Sequence, residues 1–132
     1  MNIRNGKDWA LLLIRVVLGF TMIYGHGWRK MIKLFTERPI EFGNPIGLGP
    51  ELSLGLAVFA EVLCSVLLIL GLFTRSAVIP LIITMAVAAF VVHIDDGFGR
   101  MEKAILYLVP YIALLLMGAG EYSLDAKVRN KA

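Results

Sequence analysis

Four apolar runs constrain this chain more than any other feature: roughly residues 9–28, 53–73, 77–93 and 104–118. The first two reach about 20 residues, enough to cross a hydrocarbon core near 30 Å thick. The last two are shorter, and their flanks, up to Asp95 and from Met101 to Tyr122, carry them into the headgroup region. Lipid offers no partner to an open backbone group, so the runs must become helices that pack together. Composition agrees: 58% of residues are hydrophobic and 17% charged, where soluble domains run nearer half and a quarter. The expected fold is all-α, an integral membrane four-helix bundle with short hairpins and one long interfacial loop, forming one domain over 1–132.

The connections refine this picture. Only Thr-Arg-Ser, residues 74–76, separates the second and third runs, which predicts a tight antiparallel hairpin. Pro80 then falls in the first turn of the third helix, and Pro110 in the middle of the fourth, where it should kink it. Residues 31–51 begin amphipathic and turn Gly/Pro-rich, the pattern of an interfacial lid or a plain linker. Gly19, Gly55, Ala57, Ser65, Ala86 and Ala89 offer small surfaces for close helix contact. The N-terminus has a basic start and an apolar run, but Asp8 and Arg15 interrupt it, so it reads as an uncleaved first span.

Charge sets further bounds. The net charge is +3, yet the basic residues lie dispersed at the ends of apolar runs, which excludes a nucleic-acid ribbon. Arg4, Lys7, Arg75, Lys127, Arg129 and Lys131 flank the side of the termini; Arg29, Lys30, Lys33, Arg38, Arg100 and Lys103 flank the other. That balance leaves orientation undecided by the positive-inside rule. The expectation adopted is a multi-pass protein of the bacterial cytoplasmic (inner) membrane with its termini in the cytoplasm. The lone Cys64 excludes an intramolecular disulfide and reads as a small buried hydrophobe.

Inside the runs sit polar residues that lipid does not tolerate. A lone charge at mid-bilayer costs from about 2.5 to more than 10 kcal/mol, so such groups pair or line a wet cavity. Arg15, Gly19, Met22 and His26 recur at helical spacing on the first run, and Ser53, Ala57, Glu61 and Ser65 on the second. Ala86, Ala89 or Phe90, and His93 share a face of the third; Lys103, Tyr107 and Tyr111 share one of the fourth. At 1.5 Å per residue, Glu61 and Arg15 lie at heights an extended arginine can bridge, so they are expected to pair. His26 and His93 end their helices above Glu61. The cluster is either a device that fixes helix register or a functional site. No metal is expected: the ligand types come from three helices without H-x-x-x-H or E-x-x-H spacing, and Arg15 would oppose a cation.

At these residues the chain resembles the DoxX family of small four-helix membrane proteins. The matching pieces are LLLIRVVLGFTMIYGHGWRK (11–30), GLAVFAEVLCSVLLILGLFTR (55–75), FVVHIDDG (90–97), GRMEKAILYLVPY (99–111) and GAGEYSLD (118–125). The recurring polar positions of that pattern fall on Arg15, His26, Gly27, Lys30, Glu61, His93, Glu102 and Lys103. The resemblance implies a link to membrane oxidoreductase assemblies, such as a quinone-reducing thiosulfate dehydrogenase and an oxidative-stress complex with a superoxide dismutase and a sulfurtransferase. Related four-helix redox proteins use a cysteine pair that this chain lacks, which argues against thiol–disulfide catalysis.

The leading expectation is a membrane subunit of a redox assembly that binds a quinone or similar lipid-soluble ligand. His26, His93 and Glu61 are the expected catalytic residues; Arg15, Lys30, Lys103 and Tyr107 join them in binding the ligand. Histidines would donate to the head and Glu61 relay protons. The chain has no electron carrier of its own, so a separate redox or membrane subunit must supply electrons. Membrane lipid and a further copy of the chain are the other expected contacts. The rival is a non-catalytic scaffold whose polar cluster specifies helix packing; a small transporter ranks below both, because no internal repeat is evident.

Overall fold

The computed structural model describes residues 3–132 and, among them, contains helices and no strand. The first rod is α1 (Ile3–Met22), a π-helical turn (Ile23–Gly27) and α2 (Trp28–Thr36) in one line. The second is α3 (Pro50–Val58), a π turn (Phe59–Cys64) and α4 (Ser65–Leu70). The third is α5 (Thr74–Val87) with a π turn (Ala88–Val92); the fourth is α6 (Phe98–Met117), followed by the short α7 (Leu124–Lys131). Three of these helices are long and apolar enough to cross a membrane: Asn5–Thr36, Pro50–Leu70 and Thr74–Val92. α6 also has 20 residues, but Arg100, Glu102 and Lys103 occupy its first turns, which leaves 104–117 as its apolar part.

Element ends differ from the sequence expectation for local reasons. The first helix does not stop at Trp28 but runs on through the amphipathic WRKMIKLFT segment to Thr36. Pro39 ends it, because the residue before a proline is driven out of the helical region. The hairpin turn lies at Gly71–Phe73 rather than at 74–76: Gly71 adopts a left-handed φ of 67° and terminates α4. α5 then starts at Thr74, earlier than expected, because Asp125 accepts hydrogen bonds from the Phe73 and Thr74 N–H groups at 2.7 and 2.9 Å. Pro80 therefore sits in the helix interior and not in its first turn. α6 remains one helix through Pro110.

α1 packs along α4, and α5 along α6, while α5 also meets the π turn of the second rod. Met22, Leu54, Leu68, Val78, Leu81, Tyr111 and Leu114 are fully enclosed between the rods. Outside, Leu13, Phe20, Ile83, Leu106 and Leu116 are exposed. That is the reverse of a water-soluble surface and fits apolar surroundings.

Candidate functional site

Arg15 and Glu61, expected as partners, belong to different clusters at opposite ends of the rods. Arg15 has no exposed surface. Its Nη1 donates to the Leu68 and Ile69 carbonyls at 3.3 Å each, and its Nη2 to the Tyr122 carbonyl at 2.5 Å. The last carbonyls of a helix have no partner within it, and a guanidinium carries enough donors to serve several at once. Those carbonyls, of which Leu68's also accepts from the Gly71 N–H at 3.1 Å, are what Arg15 finds at its depth, rather than a carboxylate. Gly71 is required beside it: a Cβ there would collide with the Arg15 guanidinium and with Ser123. Ser123 caps α7 by accepting from the Ala126 N–H at 3.1 Å, and Asp8 accepts from the Glu121 N–H at 3.1 Å. Together with Asp125 at the start of α5, these bonds clasp the 118–125 segment to the hairpin and to α1.

Glu61 takes Lys30 instead. Lys30 Nζ donates to Glu61 Oε1 at 2.7 Å; the glutamate is 2% exposed and the lysine 30%. This pair exists because the first helix continues past Trp28, which carries Lys30 over the second rod. Gly27 permits the approach: a Cβ there would lie 2.8 Å from Val62 and 3.1 Å from Glu61. Phe42 of the long connection places its ring centroid 5.8 Å from Lys30 Nζ, a cation–π contact from above. The other carboxylate oxygen, Glu61 Oε2, is buried with no hydrogen-bond partner.

All three π turns lie at this cluster. One contains His26, one contains Glu61, and the third ends immediately before His93. A π turn inserts an extra residue into a helix and re-aims the side chains around it, which is why such turns recur at functional sites.

The Lys30–Glu61 pair is also a shared wall between two cavities. A cavity of about 170 Å³ lies on one side, lined mainly by apolar residues including Ile46, Leu48, Leu56, Ile83 and Val87, with Phe42 and Pro45 over it. A cavity of about 310 Å³, richer in polar side chains, lies on the other, lined by His26, Lys30, Glu61, His93, Arg100, Lys103 and Tyr107 together with the apolar Met85, Ala88 and Ala104. The long connection therefore covers the first cavity. Of the seven residues expected to bind a ligand, six border this one polar cavity, and Arg15 does not.

Within the polar cavity the His26 ring stands edge-on to Tyr107, with centroids 5.6 Å apart. Tyr107 in turn stacks on Tyr111 at 6.1 Å, whose buried hydroxyl has no partner. His93 meets Asp96 Oδ2 through Nδ1 at 2.9 Å. The bond from His93, reinforced by Arg100 at 3.6 Å, holds the Asp96 carboxyl below its usual range. A ring so anchored keeps Nε2 as its second hydrogen-bonding atom. Among the described residues no cluster of His, Cys, Asp and Glu could hold a metal ion. Phe42 and Arg100 were not expected at the site. Arg100 had a signal in its i,i+4 spacing from Asp96, whereas nothing in the sequence marks Phe42.

Comparison with known proteins places the chain in a family. The DoxX family profile matches residues 10–94, a span that includes Arg15, His26, Lys30, Glu61 and His93. An uncharacterised Haemophilus influenzae protein is 33% identical over 98% of each chain. A second uncharacterised protein of that organism is 28% identical over 95% of this chain and 87% of its own. No solved structure matches. With helices apolar enough to cross a bilayer and a profile match over most of its length, the chain is a membrane protein of the DoxX family.

Proposed function

We infer that the protein is the membrane subunit of a redox assembly and binds a quinone, or a similar lipid-soluble ligand, across the Lys30–Glu61 wall. The observation that carries this reading is the wall itself: a buried ion pair with one unpartnered carboxylate oxygen, open to an apolar cavity on one side and a polar one on the other. A hydrocarbon tail fits the apolar cavity beneath the long connection. Polar ring oxygens fit beside His26, His93, Lys103 and Tyr107. A bound quinone supplies the capacity to take up two electrons and two protons. The chain's own residues bind and orient: His93, held by Asp96, and His26, held edge-on by Tyr107, present nitrogens to the head. Glu61 Oε2 is the atom placed to hold and pass a proton. Electrons come from a separate subunit.

In this reading the four rods form a four-span bundle in the bacterial cytoplasmic membrane, with α6 crossing through its apolar part and the termini in the cytoplasm. Single cysteines at Asn44, Gly97 and Lys127 in a Cys64→Ser background test that arrangement. Labelling of Asn44 and Lys127 from the same side would overturn it. Extraction of native lipids from purified protein tests the function. Stoichiometric quinone is expected; phospholipid alone would favour the scaffold reading.

A further inference from the structure

The polar cavity carries an uneven charge. Its walls hold three cations, Lys30, Arg100 and Lys103, and a single carboxylate, Glu61. Lys30 neutralises Glu61 at 2.7 Å. Asp96, from the adjoining turn, is engaged with His93 at 2.9 Å and with Arg100 at 3.6 Å. Lys103 makes no ion pair among the described residues. A cleft lined by one sign of charge and bounded by apolar walls concentrates the field of that charge. A neutral head placed here leaves Lys103 uncompensated, whereas an ionised oxygen compensates it and accepts charge-assisted bonds, roughly twice as strong as neutral ones.

We propose that the site selects lipid-soluble molecules whose head carries an ionised oxygen, the acidic hydroxyquinones and their enolate-like relatives, over neutral quinones. The ionised oxygen lies against Lys103 and Arg100, a second ring oxygen lies at His26 and His93, and the chain passes over the Lys30–Glu61 pair into the apolar cavity. This rests on the quinone-site reading above and narrows it to a class of head group.

The test uses full-length protein, stripped of native lipid, in phosphatidylcholine nanodiscs. One probe is a hydroxynaphthoquinone with a long alkyl chain, ionised at neutral pH; the other is its methyl ether with the same chain. With affinities expressed per lipid-phase concentration, the ionised compound should bind about tenfold more tightly. Lys103→Gln should bring the two affinities together by weakening the ionised compound far more than its ether, and Lys103→Arg should keep the preference. Lys103 is exposed, so both variants should fold. Equal affinities in the parent would overturn charge selection while leaving a quinone site in place. An undiminished preference in Lys103→Gln would remove Lys103 from the role. Binding of neither compound would overturn this inference and the quinone site together.

Discussion

The two polar clusters of this protein are built from similar residues and end in opposite states. At the end bearing the termini, Arg15, Asp125 and Asp8 bond to backbone groups of other segments, and Ser123 to backbone groups of its own turn. A cavity of about 200 Å³ lies beside Asp8 and Asp125, but Arg15 does not border it. At the other end, Lys30 bonds Glu61 and His93 bonds Asp96, side chain to side chain, while His26 and Lys103 make no hydrogen bond among the described residues. Glu61, Lys30, His26, His93 and Lys103 all border one cavity. Both ends leave buried polar atoms without a partner, Arg15 Nε and Thr74 Oγ1 at the first, Glu61 Oε2 and the Tyr111 hydroxyl at the second. Backbone carbonyls and N–H groups are fixed in place, so a side chain that bonds them is committed to holding the fold. A side chain bonded to another movable side chain beside a cavity can exchange its partner for a ligand. Burial of charge alone therefore does not mark function; the kind of partner does.

The largest expected effect falls on the clasp. Arg15→Met strips a charged donor from three carbonyls and should destabilise by about 3–5 kcal/mol, seen as a large drop in melting temperature in nanodiscs. The fraction that remains folded should still bind ligand. A mild loss of stability with loss of ligand would erase the distinction between the two clusters.

Next comes the ion pair. Lys30→Met leaves Glu61 buried without its partner and should cost about 2–3 kcal/mol, less than for a fully buried pair because Lys30 is partly exposed. Adding Glu61→Gln should recover most of that loss. Arg15→Met combined with Glu61→Gln should instead be additive within about 0.5 kcal/mol, since the two share no partner. Strong coupling between Arg15 and Glu61 would contradict the separation of clusters.

Smaller changes in stability, with clear changes in binding, are expected of the histidines. His26→Gln and His93→Gln should each alter stability by less than about 0.5 kcal/mol while weakening the ligand about tenfold, the worth of one lost hydrogen bond. Failure of either variant to fold would place it with the clasp.

The smallest effect concerns Asp96. Its folded-state pKa is depressed, so its contribution is present above the ordinary carboxylate value and fades as pH falls through the lower folded value. Asp96→Asn should therefore melt slightly below the parent at neutral pH, and the two should converge under strongly acidic conditions. A gap that widens on acidification would reverse the sign of the assigned interaction.

Much of the architecture was readable because lipid imposes a simple code. Long apolar runs gave the helices, and helical spacing gave the faces that carry Glu61, His26 and His93. Several features stayed hidden because they depend on residues far apart in the chain. The start of α5 is set by Asp125, some fifty positions away, so its N-terminus and the place of Pro80 could not be read locally. The residues alone point Arg15 to Glu61, because a sequence displays carboxylates but not the carbonyls at the end of an apolar helix. Gly71, just after that helix, was the available clue. The Lys30–Glu61 pair depended on α1 continuing into α2, an amphipathic extension that read as the start of a loop. The π turns leave no recognisable pattern in the residues that form them.

In the proposed function the Lys30–Glu61 wall holds ligand rather than fold. The most direct measurement is the quinone content of purified protein, per chain, for the parent and for the Lys30→Met, Glu61→Gln double variant. The parent should carry close to one quinone per chain. The double variant should melt near the parent's temperature and carry almost none. A well-folded double variant that retains the parent's quinone content would contradict the central claim, as would a parent that carries phospholipid alone.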